Sequence, residues 1–191
     1  MIFITKPYKI FFIIIISFTF IIPSVSAEAD FSTKPWTELK TKHTIIRYKS
    51  HNDLFKFHES VDYGPGKWNK TPLFSDISKT ELKQMVSLKT DAIFERAQTI
   101  LNKKKKIKKI FIDIYCNAQE LKKAYNLIYR GECNVRAWYR HRNRTVYINV
   151  EDVHAGMLAH ELAHGIIDHF LVVKPPAETA EILARYVDSH L

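Results

Sequence analysis

Two histidines four residues apart, with a glutamate directly after the first, are the residues of this chain whose types and spacing could do chemistry: His160-Glu161-Leu162-Ala163-His164. On an α-helix, positions i and i+4 share a face about one turn apart, so both imidazoles can reach a single metal ion. Glu161 stands where its carboxylate can take a proton from a water polarised by that ion. The surrounding segment, Val153 to Phe170, has helical periodicity and no proline, which predicts a helix. The plain alternative is an amphipathic helix with two surface histidines and a solvated glutamate. A third ligand separates the two readings.

A catalytic zinc takes three protein ligands and keeps one position for water. Four side chains could complete the set. Asp168 continues the face of His160 and His164 but lies another turn along the same helix, where it suits a supporting or solvated role better. His169 points elsewhere. Glu178 follows Pro175-Pro176 in a first helical turn, where the helix dipole alone accounts for an acidic residue. Glu181 sits one turn further, among Ala180, Ile182, Leu183 and Ala184, where a carboxylate needs a reason and a metal supplies one.

The elements that must position these residues begin after an N-terminal segment with the features of a secretory signal. Lys6 and Lys9 precede the apolar run Ile10 to Ile22, and Val25-Ser26-Ala27 offers small residues for cleavage. The run is about 13 residues, shorter than a spanning helix needs, and Pro23 closes it. The expectation is a signal peptide over 1–27, an exported (periplasmic or secreted) product and a single domain over 28–191, with a retained anchor as the alternative. Loss of Lys6 and Lys9 lowers the formal charge from +9 to +7. For an exported chain that charge favours anionic envelope polymers, membrane surfaces or acidic polypeptides over nucleic acid. Cys116 and Cys133, the two cysteines, are expected to form a disulfide in an oxidising compartment, worth roughly 3 kcal/mol by chain entropy.

Along the chain, Phe31 to Leu39 reads as an irregular lead-in, His43 to Tyr48 as a strand, and Asn52 to Phe74 as a long surface loop rich in turn residues. Ser78-Lys79-Thr80-Glu81 is a capping box opening a helix to Leu101. The lysine run Lys103 to Lys106, with Lys108 and Lys109, follows, either a solvated connector or a polymer-binding patch. Ile107 to Tyr115 reads as a central strand and Asn117 to Tyr129 as a helix. Val135 to Arg140 and Arg144 to Val150 alternate around His141-Arg142-Asn143, which predicts a hairpin with Val146, Ile148 and Val150 facing the core and Thr145, Tyr147 and Asn149 facing out. If this arginine-rich hairpin is a sheet edge it could hold an extended, acidic peptide, with Trp138, Tyr139 and Arg140 as candidate substrate contacts. A charged edge that merely blocks aggregation accounts for it equally well. Asp152 is the expected N-cap of the motif helix, and a last helix runs from Ala177 to His190.

With its Pro-containing turn and Glu181-Ile182-Leu183-Ala184-Arg185-Tyr186, the motif resembles the gluzincin metallopeptidases, in which H-E-x-x-H is followed by a helix reading E-G-L-A-x-Y. It looks most like the small peptidase MA-like group of exported bacterial zinc peptidases, from Ile107 to Tyr186. The resemblance implies an α+β zincin-like domain: a twisted mixed sheet, an edge hairpin, the active-site helix and a C-terminal helix delivering Glu181 as third ligand. It also implies one Zn2+ per chain, Glu161 as general base, and a peptide or protein substrate cut by a monomer. Tyr186, Tyr147, His154 and His190 are candidate oxyanion donors, Tyr186 being nearest to the ligand helix in sequence. Ile182 in place of Gly, and Arg185 where related enzymes carry Asp, are departures. The rival readings are a catalytically weak or inactive zincin-scaffold binding protein of the envelope, and a basic envelope-binding module.

Overall fold

The computed structural model describes residues 35–64, 77–104, 106–170 and 173–191. The expected signal segment and most of the turn-rich stretch before Ser78 lie outside them.

Alternating β-branched residues at 44–48, 110–115 and 145–149 build the centre of a five-stranded mixed sheet. Its strands are β1 (Thr37–Lys40), β2 (Thr44–Tyr48), β3 (Ile110–Tyr115), β4 (Ala137–Arg140) and β5 (Thr145–Asn149), in the order β1-β2-β3-β5-β4. β2, β3 and β5 run parallel, while β1 and β4 are antiparallel edges. Parallel strands need helical crossovers, and three lie between them: α1 (His51–Ser60) and α2 (Lys79–Ile100) between β2 and β3, and α3 (Ala118–Tyr129) between β3 and the β4–β5 hairpin. The chain closes with α4 (Ala155–Phe170) and α5 (Ala177–Ser189). None of these helices is long and apolar enough to cross a membrane.

Period-two alternation sorts the sheet residues onto two faces. Ile46, Ile112, Ile114, Val146 and Ile148 are fully buried on the face covered by α1, α2 and α4. Each such side chain contributes roughly 1.5–3 kcal/mol by leaving water. The opposite face carries a smaller cluster under α3, in which Leu121 packs with Trp138 and Tyr147. Arg47 and Asp113 pair on that face, with Nη2 to Oδ2 at 2.7 Å.

Several expectations change. The lead-in contains strand β1, whose polar side chains are exposed and whose order comes from pairing with β2. The start of the expected loop is α1, opened by a capping box in which Ser50 Oγ accepts from Asp53 N and the Asp53 carboxylate accepts from Ser50 N. Thr145, Tyr147 and Asn149 are buried, because α3 covers the face expected to meet water. Asp152 pairs with Arg136 instead of capping α4, and His154 Nδ1 accepts from Met157 N at 3.2 Å in its place. Cys116 and Cys133 are free thiols. Their sulfurs look to different partners: Asn117 Nδ2 donates to Cys116, and Cys133 donates to the carbonyl of Val135.

Candidate metal centre

α4 has one apolar side (Leu158, Ala159, Leu162, Ala163, Ile166), all of it buried against the sheet and its neighbouring helices. Gly165 permits close approach to the sheet: a Cβ there would stand 2.3 Å from Ile110 Cδ1 and 3.3 Å from Tyr139 Cε2. α5 packs along α4 through Ala180, Ala184 and Val187, all buried. That register brings Glu181 opposite His160 and His164.

The three side chains converge on one point. His160 Nε2 and His164 Nε2 are 3.2 Å apart, and Glu181 Oε2 lies 3.6 Å from the first and 3.4 Å from the second. Ligand atoms around a tetrahedral zinc at about 2.0–2.2 Å stand about 3.3–3.6 Å from one another, so the donor set fits this ion. Among the described residues these three form the one group of His, Cys, Asp and Glu side chains so arranged.

The electrostatics suit such a site. Burial, then the nearby His160, hold His164 below its ordinary value and keep it neutral, the form that ligates metal. Burial pushes Glu181 up, but the Arg185 hydrogen bond and the charges of His160, His164 and Arg185 outweigh it and leave the carboxyl below its usual range. Glu161 lies about 100° round the helix from His160, 8% exposed and facing β4. Burial raises it to about 7; a hydrogen bond from the Tyr139 backbone N–H works against this, and the charge of Glu181 adds to it. A carboxyl near neutrality can both take and give a proton at working pH, and a cation among the ligands would favour its charged form.

The remaining candidates separate cleanly. Glu178 is exposed in the first turn of α5 and outside the cluster. Asp168 accepts from His141 Nδ1 at 2.9 Å and pairs with Lys174 at 3.2 Å. His169 Nε2 meets Tyr139 Oη at 2.7 Å. Of the three hairpin residues, only Tyr139 faces α4. Strand alternation turns Trp138 and Arg140 to the other side, where Trp138 is buried against Tyr147 and Arg140 lies over the ring of Tyr129. Trp138 is therefore a core residue and not a substrate contact. Tyr147 shares that far face, and Tyr186 is half exposed and stacked on His190 with centroids 4.0 Å apart. His154 caps the start of α4.

Two contributors were not assigned from sequence. The Tyr139 N–H is free to reach Glu161 because β4 is an edge, a fact of topology. Arg185 Nε donates to Glu181 Oε1 at 2.8 Å, and its i+4 spacing from Glu181 was a signal that could have found it. Compared with family models, curated proteins and solved structures, the chain gives no match in any of the three.

Proposed function

We propose that the chain is an exported zinc-dependent peptidase of the gluzincin type, with a zincin-like arrangement of sheet, motif helix and glutamate-bearing helix. The observation that carries this reading is the spacing of 3.2, 3.4 and 3.6 Å among two imidazole nitrogens and one carboxylate oxygen. An intact Glu161 beside them supports hydrolysis over storage, because holding a metal does not require a buried base. His160, His164 and Glu181 would hold one Zn2+. Its charge supplies Lewis acidity toward a carbonyl and lowers the pKa of water toward neutrality. Glu161 takes the proton of the attacking water and returns it to the leaving amine. The Tyr139 N–H orients that carboxylate. The substrate on this reading is a peptide, with acidic side chains favoured by the basic charge of the chain.

Binding without efficient turnover on the same scaffold has one observation in its favour. Tyr147 is on the far face of the sheet and Tyr186 is turned out onto His190, so neither tyrosine contacts the ligand cluster. The deciding experiment measures metal and cleavage together. Purified protein should hold about one zinc per chain, and Glu161→Gln should keep the zinc while abolishing cleavage of a peptide library. Metal-free protein overturns the zinc reading. Zinc-loaded wild type that cuts nothing selects the scaffold.

A further inference from the structure

The lysine run left unexplained by the metal centre borders a cavity of about 580 Å3 between the end of α2, the β1–β2 turn and the connector into β3. That is the size of a small-ligand site. Lys42, Lys104, Lys106 and Lys109 line it together with His43, and Glu95 is its one carboxylate. No residue of the metal centre takes part.

A lysine-rich connector that only complements a helix end would spread its charges into solvent. Here four of the lysines line one cavity. Lys42 comes from a turn some sixty residues earlier in the chain, so its presence beside Lys104 and Lys106 is a product of the fold, not of the local run. Two of the cations are already committed: Lys42 Nζ pairs with Glu95 Oε1 at 2.7 Å, and Lys109 Nζ donates to the Thr41 carbonyl. Glu95 Oε1 also faces His43 Nε2 at 3.0 Å, so this carboxylate is shared. Lys103 extends the other way, over the ring of Phe170. Lys104 and Lys106 have no acidic partner among the described residues, and they stand exposed at the cavity wall.

We propose that this cavity binds a phosphate-bearing anion of two or more charges. The cations are all lysines. Ammonium groups act as point charges with freely rotating donors, which suits the spread charge of phosphate, whereas planar carboxylate recognition favours the guanidinium fork. Phosphate could arrive as a free oligophosphate or as the headgroup of a lipid.

The test titrates the full chain with inorganic tripolyphosphate by calorimetry, with EDTA present so that chelation of metal by the probe contributes nothing. Saturable one-to-one binding is expected. Lys104→Glu/Lys106→Glu should weaken it about tenfold or more. Lys79→Glu/Lys83→Glu changes net charge equally at the far, exposed end of α2 and should leave binding within about twofold. Lys104→Gln/Lys106→Gln guards against a charge-reversal artefact and should weaken binding in the same direction. A second arm measures sedimentation with phosphatidylglycerol vesicles against phosphatidylcholine vesicles. Vesicle binding lost in the Lys104/Lys106 variants, without tripolyphosphate binding, assigns the site to lipid phosphate; the reverse assigns it to free oligophosphate. Equal weakening by the two charge reversals, or no binding to either probe, overturns the proposal. Glu181→Ala should leave the result unchanged, so failure here and failure of the zinc reading are separate outcomes.

Discussion

Arg185 Nε holds one oxygen of Glu181, Oε1, at 2.8 Å, and thereby leaves Oε2 as the oxygen 3.4 and 3.6 Å from the two histidines. The guanidinium decides which lone pairs face the cluster. It is largely exposed, so solvent screening discounts the ion pair itself, and its value lies in orientation.

If the cluster holds zinc as proposed, Arg185→Ala should weaken its binding by about tenfold, the low end for loss of a partner that orients a ligand. Arg185→Lys should recover part of it, since the charge remains and the fixed fork does not. Competition against a chromophoric chelator reads both, independently of peptide cleavage. Unchanged affinity in Arg185→Ala would show that α5 packing alone orients Glu181.

Gly165→Ala is expected to cost roughly 1–3 kcal/mol, as overpacking does in a filled core. Its new Cβ would stand 2.3 Å from the buried Ile110 Cδ1, forcing α4 off the sheet or Ile110 out of its rotamer. Gly131→Ala is the control: the nearest atom to its Cβ would be the Tyr129 carbonyl oxygen at 3.9 Å. Urea unfolding should move to lower midpoint in the first variant alone.

What the sequence allows one to read follows where the causes are local. His160, Glu161 and His164 are fixed by helical period, and the capping box at Ser78 and the alternation across β4 and β5 are equally local. The place of Glu181 beside the two histidines was legible because a carboxylate among Ala180, Ile182, Leu183 and Ala184 is conspicuous. α1 was missed although Ser50 and Asp53 form its cap, because the turn residues beyond Asp62 outweighed it. Tyr147 and Trp138 were misjudged for another reason: a single strand cannot show whether its second face meets water or a helix, and here α3 lies on it. The free thiols at Cys116 and Cys133 likewise depend on tertiary placement, each sulfur having its own local partner.

His58 offers a pH test away from the His160, His164 and Glu181 cluster. Its side chain is fully buried, and neither ring nitrogen has a hydrogen-bond partner among the described residues. Burial first, and then the Lys89 charge, lower its pKa from 6.5, with Glu59 opposing. Above 6.5 both folded and unfolded rings are neutral and the contribution is complete. As pH falls below 6.5 the unfolded chain takes up a proton that the folded ring refuses, so stability is lost down to the lowered folded value. Urea unfolding at about pH 7.5 and about pH 5 should show a smaller loss in His58→Phe than in wild type. An identical loss would mean that the ring is hydrated or paired in solution.

Trp138 separates a core role from a substrate-contact role most sharply. If the hairpin held substrate through this ring, Trp138→Ala would raise KM and leave the fold alone. The structure places the ring at 8% exposure, stacked on Tyr147 at 4.6 Å and met edge-on by Tyr125 at 5.1 Å. Truncation should then cost roughly 3–5 kcal/mol of stability through the lost transfer energy and the cavity left behind. Trp138→Phe keeps an aromatic ring in this stack and should lose much less. Unfolding midpoints for the two variants, beside their zinc content under native conditions, check this. Near-wild-type stability in Trp138→Ala would show that the ring is not a core residue. A large loss of stability with zinc retained by the folded fraction would show that the aromatic layer under α3 supports the sheet while the proposed ligands His160, His164 and Glu181 are held from the opposite face.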